Sequence, residues 1–317
     1  MRRYLILCFL FTAVSGKIFG QRVSIQTADV QNFWIAFDSI KAEADVNKHE
    51  AIIQRLYFDK ATVGLAEFTK RRDWKPAKFV ESINRYDNFW RTVRPKTLNV
   101  TNEIPQIKRL FKRYKKLYKA FVPPEIYFVI GYCETGGTTT QTQILIGTEI
   151  ASADSTVNGE GLHPLVQNFM LTNKGAFSIV AHELTHTQHK GGDMETKRKS
   201  NLLGLCLAEG SCDFMAELLV KESIDRPYMV YGRKHEKELW EKFKLDMHGK
   251  NTINWLYNGA YKKKGDADLG YFIGYSICKS YYQRAMDKKE AIRKIVSLDF
   301  EDTDKLNAFL EMSSYNP

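Results

Sequence analysis

Apolar residues recur at helical spacing through the first third of the chain. Val30, Phe33, Trp34, Phe37 and Ile40 share one face of a helix over 29–40. Phe79, Val80, Ile83, Tyr86, Trp90 and Val93 predict a helix over 79–93, and Ile104, Ile107, Leu110, Phe111, Tyr114, Leu117, Tyr118 and Phe121 another over 104–121. About five helices are expected before Pro123-Pro124 ends the layer.

The texture then changes. Glu125–Tyr132 is aromatic and β-branched and reads as a strand; Gln143–Ile150 reads as a second. The Gly/Thr-rich stretch Glu134–Thr140 predicts a turn, so the two strands are expected as an antiparallel hairpin at a sheet edge. The second strand would then be free to pair with an extended peptide. An irregular loop over 151–164 follows, and helices are expected over 176–190, 201–222, 233–247, 269–287, 288–297 and 303–312. The fold class is α+β: a helical N-terminal layer, a small mixed sheet and a helical C-terminal part. The expected organisation is a signal peptide over 1–20, an N-terminal helical region over 21–122 and a core over 123–317.

The 317 residues are 44% hydrophobic and 26% charged, which excludes a disordered or collagen-like chain. The start fits an export segment. Met1-Arg2-Arg3 is basic, Tyr4–Val14 is apolar but too short to span a bilayer, and small residues follow. Cleavage after Gly16 and after Gly20 both fit, with the second preferred. Cys8 lies inside the apolar run, which argues against a lipid on that residue. The expected location is secreted or periplasmic, in the cell envelope. Losing Arg2, Arg3 and Lys17 lowers the net charge of +10 by 3, to +7. Export makes nucleic acid an unsuitable partner, and no later segment is apolar enough for a membrane span. The basic run Lys108–Lys119 is read first as the solvated face of an amphipathic helix, with at most a weak attraction to acidic surfaces. Export permits disulfides, and Cys133, Cys206, Cys212 and Cys278 allow three pairings. Oligomeric state is not legible.

Chemistry concentrates at His182-Glu183-Leu184-Thr185-His186, an HExxH pattern. On a helix, residues four apart share a face, so His182 and His186 can reach one Zn2+ ion. Glu183 stands beside it as a general base for metal-bound water. A third ligand is needed. The extended HExxHxxGxxH pattern fails, because His189 and Gly192 stand where Gly and His are required. Glu209, 23 residues after His186, is the better candidate. Asp213, one turn on, is placed to accept a ligand histidine's N–H. Glu217 is the rival ligand and has no such partner. His189 is assigned to the surroundings of the site or the surface. His163 is placed at the surface as a weak substrate contact, and His49, His235 and His248 are placed in solvent.

HELTH followed by AEGSCDF resembles the gluzincins. More narrowly, ILIG (144–147), HELTH (182–186), AEGSCD (208–213) and GYFIGYSI (270–277) resemble a bacterial family of predicted zinc-dependent proteases. The resemblance spans about 123–317 and departs at Ser211-Cys212. It implies a zincin-like core, zinc on His182, His186 and Glu209, and Glu183 as base. Related peptidases take an oxyanion donor from a later segment, which makes Tyr271 and Tyr275 candidates. The expected function is an exported zinc metallopeptidase acting on peptide or protein substrates. The alternatives are a cell-envelope binding or assembly protein retaining that fold, and a zinc amidase acting on cell-wall material.

Overall fold

A computed structural model describes residues 24–190, 199–259, 262 and 266–317. The export segment over 1–20 lies outside them. The N-terminal layer comprises α1 (Ala28–Ala42), α2 (His49–Leu56), α3 (Val63–Arg72), α4 (Pro76–Arg85), α5 (Asp87–Leu98) and α6 (Ile104–Leu117). A sheet follows, built from β1 (Ile25–Gln26), β2 (Glu125–Val129), β3 (Gly137–Thr139) and β4 (Gln143–Gly147). Then come α7 (Thr148–Ala151), α8 (Pro164–Met170), α9 (Ala176–His186), α10 (Leu202–Val220), α11 (Pro227–Asp246), α12 (Leu269–Arg284), α13 (Lys288–Val296) and α14 (Thr303–Ser313). The α+β expectation holds at that level, with helices predominating and a small mixed sheet.

The helix expected over 79–93 is two. Tyr86 leaves helical geometry (φ −117°, ψ 43°), so α4 ends and α5 starts at Asp87. The Trp90 indole donates to the Ser82 carbonyl across the break, which keeps both apolar faces on one core. Periodicity carried through this corner because the turn consumes a single residue.

The expected hairpin is corrected. The sheet order is β1-β2-β4-β3; β2 and β4 lie parallel, and β3 pairs antiparallel with β4. The stretch read as a turn contains β3, and the reversal falls at 140–142, where the Thr140 hydroxyl accepts the N–H groups of Thr142 and Gln143. Gly137-Thr138-Thr139 has two β-branched residues that fit a pleated edge. The strand Gln143–Ile150 is therefore no substrate rail: β4 is hydrogen-bonded on both sides and ends at Gly147, and 148–151 is helical.

One buried apolar cluster runs from Val30 to Tyr315 and includes the sheet. The α9 helix packs against β3 and β4 on one side and against α10 on the other. The α10–α12 crossing is close. A Cβ on Gly274 would lie 1.8 Å from the Cys206 carbonyl oxygen, and one on Gly210 would lie 2.1 Å from the Tyr275 nitrogen. Glycine at both positions lets the two backbones touch. Cys133, Cys206, Cys212 and Cys278 are buried and stand outside any disulfide among the described residues. His49, expected in solvent, is buried, with its Nε2 3.0 Å from the Glu43 carbonyl.

Candidate metal centre

The α9 helix carries His182, Glu183 and His186, and its start is fixed from outside. Gly175 precedes it at φ 103°, and the Glu103 carboxylate accepts the Phe177 N–H at 2.6 Å. That acid supplies the cap that no side chain of the helix's own N-cap provides. Asn201 caps α10, accepting from the Gly204 N–H.

The two helices bring His182, His186 and Glu209 together. His182 Nε2 and His186 Nε2 are 3.2 Å apart, and Glu209 Oε2 lies 3.3 and 3.2 Å from them. All three residues are buried. A tetrahedral zinc site with bonds of about 2.0–2.1 Å has ligand–ligand edges of roughly 3.3 Å, so the triangle has the size of one face of such a site. Two ring protons cannot serve three such edges with good geometry. The donor set, two imidazole nitrogens and one carboxylate oxygen, is the hard-to-borderline mixture that zinc takes. The residues fit the ion.

Neighbouring groups orient each donor. Asp213 Oδ1 lies 2.8 Å from His182 Nδ1, where it accepts that N–H and turns Nε2 to the focus. Tyr228 in turn donates to Asp213 Oδ2 at 2.8 Å. Tyr257 donates to Glu209 Oε1 at 2.9 Å, leaving Oε2 to face the histidines. His186 Nδ1 has no hydrogen-bond partner among the described residues. Cys212 competes as a third donor, since one donor atom each from His182, His186 and Cys212 lie within 4.8 Å of one another. The Glu209 triangle has edges of 3.2–3.3 Å and a single focus, so it is the better-formed site.

Without a metal, the charges lock to one another. Burial disfavours a charged His182, but Asp213 and Glu209 outweigh it and push the imidazole up to about 10. Burial also opposes ionised Glu209, yet the two histidines hold its carboxyl well below the usual range. Burial, reinforced by the Glu209 charge, raises the Tyr257 and Tyr271 phenols, which stay protonated donors.

Glu183 and Tyr271 line two cavities that also reach His182, of about 360 and 490 Å³. The Tyr271 ring stands 6.1 Å from that of His182. Tyr275 is corrected. Its hydroxyl donates to Glu217 at 2.6 Å and accepts from Lys279, so it turns away from the triangle with the rival Glu217. Tyr275 shares a face with Tyr271 but stands about 6 Å further along α12, where it meets Glu217 rather than Glu209. His189 is buried and hydrogen-bonds Ser211. His163 is exposed and caps α8. Tyr257, Tyr228 and Arg226 were missed: two lie in or beside loops, and only position-specific pairing, absent from any periodic pattern, would have found them.

No curated protein and no solved structure matches the chain. A lipoprotein family model described as gliding motility protein GldB matches residues 19–317. The match overturns the gluzincin resemblance and with it the expected metallopeptidase function, including the peptidase vocabulary attached to it. The physical reason lies in how little the shared segments specify. HExxH sets one helical turn and the Glu-x-x-x-Asp spacing another, and neither constrains the remaining elements or what the site serves. Membership puts the protein with cell-envelope lipoproteins, and no helix among the described residues is long and apolar enough to cross a membrane. The chain belongs to the family of the gliding motility protein GldB.

Proposed function

We propose that the chain is a zinc-binding component of the gliding-motility apparatus in the cell envelope, exported before it works there. The family assignment supports the process and compartment. One observation carries the metal: the 3.2–3.3 Å triangle of His182, His186 and Glu209 with Asp213 behind His182. Bound zinc would supply a Lewis acid facing the cavity. Asp213 holds the His182 tautomer, Tyr257 holds the outer oxygen of Glu209, and Glu183 adds a carboxylate to the wall. Lys108, Arg109, Lys112, Lys115 and Lys116 line the exposed face of α6 and exposed Lys119 follows it, favouring weak attraction to an acidic envelope surface.

The test is metal content together with motility. Full-length protein is assayed for bound zinc, and cells lacking the gene are complemented with wild type or a His182→Ala/His186→Ala double variant. One zinc per chain is expected, with gliding restored by wild type alone. Zinc-free protein, or full rescue by the double variant, would overturn the proposal.

A further inference from the structure

Arg226 sits in the wall of the 360 Å³ cavity that also holds His182, Glu183 and Tyr271. It is half-buried, immediately before Pro227 at the start of α11. The Phe169 ring lies 6.0 Å from its guanidinium carbon, and the Tyr228 phenol is a further neighbour. The Tyr228 phenol is its hydrogen-bond partner, and among the described residues no ion pair is formed with this guanidinium. Its other nitrogens are accessible, since none is among the buried unsatisfied atoms and the residue is only half-buried. A guanidinium flanked by an aromatic ring and left with open donors is unusual, because an arginine drawn inward is ordinarily paired.

Of the acids nearby, Glu183 lies on the helix of the histidine donors and three others are committed elsewhere. Asp213 is shared between His182 and Tyr228. Glu134 accepts the Trp74 indole N–H, and Asp268 accepts the Asn258 backbone N–H. Much of the remaining wall is apolar, including Ile150, Leu165, Val166 and Ile179. The cavity therefore offers a metal-donor cluster at one point, an open planar cation at another, and apolar surface between them.

We infer that this cavity binds an organic carboxylate: the carboxylate docks on Arg226, an apolar spacer lies along Val166 and Ile179, and the opposite end reaches the metal. The fork of the guanidinium matches a carboxylate in two parallel N–H···O contacts. The ligand class rests on the metal-site proposal above, and the experiment separates the two.

Full-length protein is loaded with Co2+ in place of zinc and titrated with ω-mercaptocarboxylates of increasing chain length and with the matching mercaptoalcohols. A thiolate bound to cobalt gives a charge-transfer band, so each Kd is read directly. At the best length, the carboxylate is expected to bind at least about tenfold tighter than its alcohol, the size of one charge-assisted hydrogen bond. Arg226→Gln abolishes that preference and leaves the cobalt d–d bands unchanged; Arg226→Lys keeps part of it. Equal affinity of acid and alcohol at every length in the wild-type protein overturns the carboxylate site, whether or not the variants fold. A preference that survives Arg226→Gln also overturns it. Absence of cobalt bands at the start instead overturns the metal site itself.

Discussion

Asp213 holds His182 by its inner nitrogen at 2.8 Å, from a different helix and 31 residues away. The contact leaves one tautomer and one ring orientation, with Nε2 facing His186 and Glu209. Removing it frees the ring to rotate. Asp213→Ala is expected to weaken zinc binding about 10- to 100-fold, as outer partners of ligand histidines generally do. Tyr228→Phe, one hydrogen bond further out, should have a smaller effect of the same sign. Competition titration against a chelator of known affinity measures both, and equal affinity of Asp213→Ala and wild type would refute the orienting role.

Tyr257 and Tyr275 should separate cleanly. Tyr257→Phe removes the donor to Glu209 Oε1 and is expected to weaken metal binding. Tyr275→Phe removes only the contacts to Glu217 and Lys279, lowering stability by about 1–3 kcal/mol, the net value of two hydrogen bonds, without changing zinc affinity. Denaturant melts and metal titrations on both variants provide the check; a zinc defect in Tyr275→Phe would contradict the assigned geometry.

Gly274→Ala tests the α10–α12 crossing. The added carbon would meet the Cys206 carbonyl at 1.8 Å, a backbone atom that no rotamer change can move. The helices must separate, and a loss of about 3 kcal/mol or more is expected, above the usual range for point variants. Urea unfolding of the variant decides it, and a wild-type midpoint would mean that the two backbones do not touch at this crossing.

Glu149 gives the protein a pH dependence. Burial pushes its carboxyl from 4.5 up to about 7, although the Gly131 and Cys133 N–H groups both donate to it. Folded protein then retains a proton that the unfolded chain has lost between those values. Stability from this group is constant below about pH 4.5, falls as pH rises through the window, and levels off above about 7. The full effect is on the order of 3 kcal/mol. Denaturant unfolding between about pH 5 and 8 should show a shallower slope for Glu149→Gln than for wild type, and parallel slopes would rule the effect out.

Local patterns were the legible part of this chain. The stripe Val30–Ile40 found α1, and the one-turn spacing of His182 and His186 found two donors, because both depend only on helical periodicity. Glu209 and Asp213 were legible for the same reason, lying on one face of α10. What failed depends on distant partners. Glycine and threonine at 136–140 suit a turn as well as a short edge strand, and only pairing with β4 distinguishes them. Tyr271 and Tyr275 look equivalent until the Gly274–Cys206 contact fixes how far along α10 each turn of α12 lies. The family and its biological setting were not legible in the motif, since the same donor chemistry suits many roles.

That backbone crossing also separates chelation from folding. Glu209 and Asp213 flank Gly210, which abuts Gly274 and Tyr275, so the carboxylates stand in place through contacts that owe nothing to an ion. Zinc entering such a site has little chain left to order, unlike in small domains whose fold is created by their metal. A chelator should therefore strip the protein reversibly to a folded form with unchanged helical content, and its affinity for zinc reports coordination alone.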